Sequence, residues 1–195
     1  MPNWCNNELK ISTGNNSEEA KEQLKHFIQK AKGKHSDTEG QTDLKMENFV
    51  PCPKELLSLS APNTKNSTKM IEKHGYKDWY DWQVSNWGTK WDIDATKNEG
   101  SPTCVNYSYS SAWAPNDRFI KRVSELYPLL RFNLEYYEPG VGFKGTLSVR
   151  NGDISDDTCE DMTREDLIEY GYINEDDEEY EDDNTDNKPE NWAKT

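Results

Sequence analysis

The run "NELKIS", Asn7 to Ser12, alternates polar and apolar residues. With the residues just before it, the run sets Cys5, Leu9 and Ile11 on one side of an extended chain and Trp4, Asn6, Glu8 and Lys10 on the other. That is the pattern of a strand with one buried face. A turn, "TGNNS", leads into an amphipathic helix with Asn16 as its N-cap, Glu19 three residues on, and Ala20, Leu24, Phe27, Ile28 and Ala31 at helical spacing. Gly33 is expected to end it, with Lys30, Lys32 and Lys34 placed where positive charge suits a helix C-terminus.

Further along, "TKMIEKHG" and "DWYDWQVS" read as helical, and "WDIDA" and "VNYSYS" as two strands joined by a turn at Asn98 to Pro102. Pro115 suits the first position of a second long helix, with Phe119, Ile120, Val123 and Leu126 as its apolar stripe and Pro128 as its stop. "RFNLEYY" and "FKGTLSV" form a hairpin across "EPGVG". The order is a βαββαβ core with one added strand, an α+β sandwich of ferredoxin-like type over residues 1–150, with residues 34–90 as an irregular and helical insertion. One sheet face is left open in such a fold. Trp4, Asn6, Asp92, Asp94 and Asn106 are expected to point to that face, with the Trp-rich segment as its cover.

Charge separates the chain into two parts. Residues 151–195 hold eighteen acids and three bases, whereas residues 1–150 hold nineteen acids and twenty bases. The net charge of −14 therefore belongs to the tail. The only periodic signal there is a short helix near 164–170, begun by Thr163, and from about Asn174 onward acids outnumber apolar residues too heavily to offset chain entropy, so disorder is expected. Cys5, Cys52, Cys104 and Cys159 are widely spaced, with no CxxC pair, and read as reduced thiols. No basic-then-apolar leader and no long apolar run is present, so a cytoplasmic protein is expected, without a membrane partner.

"MPNWCNN", "FVPCP", "DWYDWQVSNWGTKWD", "SAWAPN" and "YYEPGVGFKG" occur in this order, and over most of residues 1–150 the chain resembles the YubB ferredoxin-like family of phage- and plasmid-borne, Api92-like proteins. The resemblance implies the same fold and brings no settled reaction with it. Trp113-Ala114-Pro115 stands where the family pattern has Trp-Ser-Pro, so position 114 lacks a hydroxyl.

Trp79, Trp82, Trp87 and Trp91 crowd into one segment. Their indoles are expected to close the open face, and the polar residues among them to form a functional rim. The candidate binding set is Asn86, Trp87, Gly88, Thr89, Lys90, Asp92, Trp113 and Glu138. A loop with glycine allows close backbone approach, indoles offer flat faces, and alanine at Asn86, Thr89 and Lys90 is expected to leave folding intact. Asp92, Asp94 and Glu138 could serve as acid and base or hold a cation, but Glu138 before Pro139 and Gly140 is also an ordinary turn residue. His26, His35 and His74 fall in no hydrolase motif, and no phosphate loop, metal set or cofactor motif is legible. The expectation is a non-enzymatic accessory protein of a phage or plasmid that binds a host macromolecule, a host protein first of all, with counter-defence as its role. The acidic tail, with Trp192, reads either as a solubilising segment, as charge runs usually are, or as a decoy or docking peptide. A nucleic-acid-binding or nucleotide-processing protein is the competing reading.

Overall fold

The computed structural model describes residues 3–62, 65 and 67–176. The disorder expected past Asn174, and Trp192, fall almost wholly outside these residues. Strand β1 (Trp4–Thr13) is followed by helix α1 (Glu18–Ala31), a two-residue hairpin pair β2 (Gly33–Lys34) and β3 (Gln41–Thr42), and three helices, α2 (Lys54–Leu57), α3 (Ser67–His74) and α4 (Trp79–Trp87). Then come β4 (Thr96–Ser101), β5 (Cys104–Ala112), α5 (Asp117–Leu126), β6 (Leu130–Glu138), β7 (Phe143–Arg150), β8 (Asp153–Asp161) and α6 (Arg164–Glu169). The main sheet is antiparallel in the order β4-β5-β1-β6-β7-β8. Its first four strands with α1 and α5 are the βαββαβ arrangement, and β7 and β8 extend it.

The alternation of β1 does place Cys5, Leu9 and Ile11 inside, together with Asn7. They meet Val105, Tyr107 and Tyr109 of β5, Phe132 and Leu134 of β6, and the apolar stripes of the two helices. Phe27 of α1 is at the centre of this layer, stacked on Phe49 at 4.8 Å and edge-on to Tyr127 and Phe132.

Several local readings shift. Ser17, not Asn16, caps α1, its hydroxyl accepting from the Ala20 amide. Gly33 does not end the helix through a left-handed turn, because Lys32 is extended and the Asn48 side-chain amide reaches the carbonyls of Lys30, Ala31 and Lys32. Helix α5 starts at Asp117, two residues after Pro115. The strand expected at "WDIDA" is a loop joined to Leu44 by a single bridge at Ala95, and β4 occupies the stretch read as a turn. Every side chain of β4 is exposed, so it carries no hydrophobic alternation to read.

The sheet also runs past Arg150. Asn151 and Gly152 both take positive φ (51° and 80°), the geometry of a two-residue hairpin turn, and they fold β8 back along β7. The expected single added strand is therefore two, and the first part of the acidic tail is sheet. Gly145 makes this pairing close. A Cβ there would collide with the Thr158 carbonyl oxygen of β8 and the hydroxyl of Tyr136, which covers the glycine from β6 and donates to Thr158 O at 3.0 Å.

Trp4, Asn6 and Asn106 do lie on the open face, but the Trp-rich segment reaches it only at the edge, where Trp91 adjoins Trp4, and does not cover the rest. Trp82 and Trp87 are buried in the core cluster, and α4 packs on α2 and α5 in the helical layer. Glu8, Lys10, Arg131 and Glu135 stay exposed on the open side. One corner of that side is covered from the tail: Tyr170 beside α6 stacks on Tyr137 at 3.9 Å, and Lys144 bridges Asp166 (2.8 Å) and Glu160 (3.4 Å).

Tyr136→Phe should keep the core and loosen the outer strand. The lost hydroxyl bond is expected to cost about 1 kcal/mol, seen as faster amide exchange confined to residues 153–161.

Candidate functional site

Helix α4 is short and begins with Asp78, whose carboxylate accepts from the Asp81 amide at 3.0 Å. It ends at Gly88, with φ of 87°. Glycine is required twice over here, because a Cβ would be strained by that φ and would collide with the Asp117 carboxylate while coming within 2.9 Å of the Pro115 carbonyl oxygen. The loop "NWGT" is thus pressed against the β5–α5 connection. Thr89 is buried and completes the join: its hydroxyl donates to Ala112 O at 2.9 Å and accepts from Ala112 N at 3.0 Å.

Much of the expected rim is therefore interior. Asn86 is buried, with its amide on the Trp82 carbonyl, and Trp87 is buried with its Nε1 on Val50 O at 2.9 Å. Alanine at Thr89 would take the side-chain partner from both backbone groups of Ala112, and alanine at Asn86 would empty a buried, hydrogen-bonded site on α4, so the expectation that such changes spare folding does not hold at these two positions. Asp92 is held by its surroundings, its Oδ1 accepting from Met46 N (2.7 Å) and Ile93 N (2.8 Å) and its Oδ2 from Glu47 N (3.3 Å). Burial pushes its carboxyl above the ordinary range despite Lys45 and these amides. Asp94 pairs with Lys45 at 2.7 Å; burial pushes its pKa up, but Lys45 and Ser36 outweigh burial and hold it low. Neither aspartate points to the open face.

Glu138 is also buried and folds onto its own turn, accepting from Gly140 N (2.9 Å) and Val141 N (2.6 Å). It shares no hydrogen bond with Asp92 or Asp94, and no group of three His, Cys, Asp or Glu among the described residues could hold a metal ion. Cys5 lies near Glu138, and burial followed by that charge pushes its thiol pKa strongly up.

What the fold does gather is the aromatic surface. Lys90 places its ammonium 4.4 Å from the Trp91 ring centre and 5.8 Å from that of Tyr80. Trp91 in turn lies 6.2 Å from Trp4. Trp113 adjoins Ala112, the residue opposite Trp4 in the β1–β5 pairing, and its amide donates to Asn3 O at 3.0 Å. Trp4 is 47% exposed, Tyr80 43%, Trp91 38% and Trp113 51%. Trp113 has a φ of 72°, a left-handed conformation that is unusual for a bulky residue and costs on the order of 1–3 kcal/mol. It is held there because its neighbours are fixed: Ala112 by Thr89, and Ala114 by the Ser111 hydroxyl on its carbonyl oxygen at 2.7 Å.

Of the candidate residues, Lys90 and Trp113 belong to this surface, Gly88 and Thr89 brace it, and Asn86, Trp87, Asp92 and Glu138 are structural. Trp4, Tyr80 and Trp91 were missing from the set. The parity of Trp4 on β1 was the available signal, whereas nothing in the spacing marks Tyr80.

The segments that converge here fall partly within a match to a family model. Residues 87–187 match the model described as a ferredoxin-like domain in Api92-like protein. The chain belongs to that family. The matched part of this Api92-like protein runs from the end of α4 through α6 and includes Lys90, Trp91, Trp113 and Glu138. Among solved structures, the crystal structure of a protein api92 from Yersinia pseudotuberculosis is similar, at 9% identity and a TM-score of 0.44, over 84% of this chain and 99% of that one. No curated protein matches. No helix of the described residues is long and apolar enough to cross a membrane.

Two changes test the bracing. Thr89→Val should cost about 2–3 kcal/mol in urea unfolding, since both Ala112 groups lose a buried partner, and Thr89→Ser should recover most of it. Because the folded pKa of Asp92 lies above its ordinary value of 3.8, the native state keeps a proton that the unfolded chain has lost, and stability falls as pH rises through that window. Asp92→Asn should flatten this fall in a series of unfolding curves taken upward from pH 3.8.

Proposed function

We propose that this Api92-like protein is a non-catalytic accessory protein of a phage or plasmid, and that it binds a host protein through the surface formed by Trp4, Tyr80, Lys90, Trp91 and Trp113. The observation that carries the reading is Trp113. An indole that is half exposed and held in a costly backbone conformation by two anchored neighbours is presented outward, where folding alone gains little from it. Tryptophan and tyrosine are the side chains that most often dominate protein interfaces, and Lys90 supplies charge within the same patch. Binding fits better than catalysis, because Asp92 and Glu138 direct their oxygens to backbone amides. The YubB resemblance supports the mobile-element origin and a counter-defence role in the host cytoplasm.

A second reading rests on the Lys90 ammonium over Trp91: exposed indoles beside a cation also suit stacked bases of single-stranded nucleic acid. Capture from nuclease-treated bacterial lysate separates the two. A protein retained by the native chain and lost with Trp113→Asn, a substitution that tolerates the left-handed backbone, supports the protein partner. The variant should unfold at the same temperature or higher, since strain is relieved. Equal retention by both chains would remove the aromatic surface from consideration, and capture that disappears with nuclease would favour the second reading.

A further inference from the structure

At the far end of β6 from the aromatic surface, about 24 Å away along the strand, a depression of about 440 Å³ is lined by Pro128, Arg131, Arg150, Asn151, Asp153 and Ser155. The pairing of Phe132 with Val149 sets Arg131 and Arg150 opposite each other across β6 and β7, and strand alternation puts both on the open face. Like charges in directly opposed positions disfavour the pairing unless something between them neutralises the repulsion. No carboxylate of the described residues lies within 4.0 Å of either guanidinium, although Asp153 is paired opposite Arg150 across β7 and β8 and stands at the rim of the same depression.

Arg150 is also fixed in place. Its Nε donates to Pro128 O at 3.3 Å, and its guanidinium lies against Gly14, where a Cβ would come within 2.8 Å of Cζ. A guanidinium already held in one place loses little freedom on engaging a ligand, and its planar fork matches two oxygens at once. The Ser155 hydroxyl and Asn151 amide add neutral polar groups to the wall.

We propose that this depression binds the phosphate group of a small phosphomonoester, with Arg131 and Arg150 gripping the oxyanion and Ser155 and Asn151 beside it. With Asp153 opposite Arg150 but outside ion-pair distance, a doubly charged phosphate supplies the close counter-charge that neither guanidinium has. The depression also has room beyond the phosphate for a body of about nucleotide size. Asp153 opposes the anion and weakens the site, which gives the proposal a signature that general stickiness would not share.

The test is a titration of the full ¹⁵N-labelled chain at constant ionic strength with inorganic phosphate, a nucleoside monophosphate, and chloride as control. Saturable shifts at the amides of Asn151, Asp153 and Ser155 are expected with both phosphates. Arg131→Ala should weaken binding at least fivefold. Arg150→Lys, which keeps charge and loses the fork, should weaken it at least threefold, and Asp153→Asn should tighten it at least twofold. Shifts that chloride reproduces would overturn the site. So would an Asp153→Asn variant that binds no more tightly. A single-stranded oligonucleotide that moves these amides when neither phosphate does would replace the phosphomonoester with a phosphodiester chain and overturn the ligand class.

Discussion

The aromatic end of the molecule depends on a hydroxyl group that substitutes for a strand. The β4–β5 pairing stops at Thr96 and Ser108, so the last residues of β5 have no neighbour on that side. Thr89 fills the gap, accepting from the amide of Ala112 and donating to its carbonyl as a paired strand would. This one side chain joins the insertion to the sheet. It sets where Lys90 and Trp91 emerge, and it fixes one side of Trp113.

Beneath this join lies a buried polar network that an apolar core would not need. Asn7 donates to Cys5 O and to the Ser111 hydroxyl, Ser111 donates to Ala114 O, and the Tyr109 hydroxyl donates to Asn116 at 2.7 Å. Such networks favour one arrangement over near alternatives, because a slipped register strands each member in a dry interior. Segments distant in sequence, around Asn7, Thr89, Ser111 and Asn116, are thereby held at one end of the sheet.

The parts of the fold legible in the sequence are those whose burial is one-sided. β1, α1, α5 and the β6–β7 hairpin each bury a stripe, and their apolar residues recur at the period of the element. β4 and β8 bury nothing, so no hydrophobic period marks them. The turn at Asn151–Gly152 was the available sign of β8, outweighed by its acidic composition. The placement of the tryptophans was not legible for a different reason. α4 gives neighbouring aromatic rings different fates, Trp82 and Trp87 inward and Tyr80 outward, and tertiary packing against α2 and α5 decides which. Polar residues such as Thr89 and Glu138 read as functional because their partners are backbone groups, invisible to any pattern of side chains.

The edge strand β8 carries Asp153, Asp156, Asp157, Glu160 and Asp161 with every side chain in solvent. A sheet margin of nine residues offers unpaired amides and carbonyls to any passing strand, including the same strand of another copy. Zipping two such margins together would set five carboxylates against five. Self-repulsion of this kind keeps a twisted sheet from growing into a fibre, so the acidity of this segment acts on solubility through the backbone it shields.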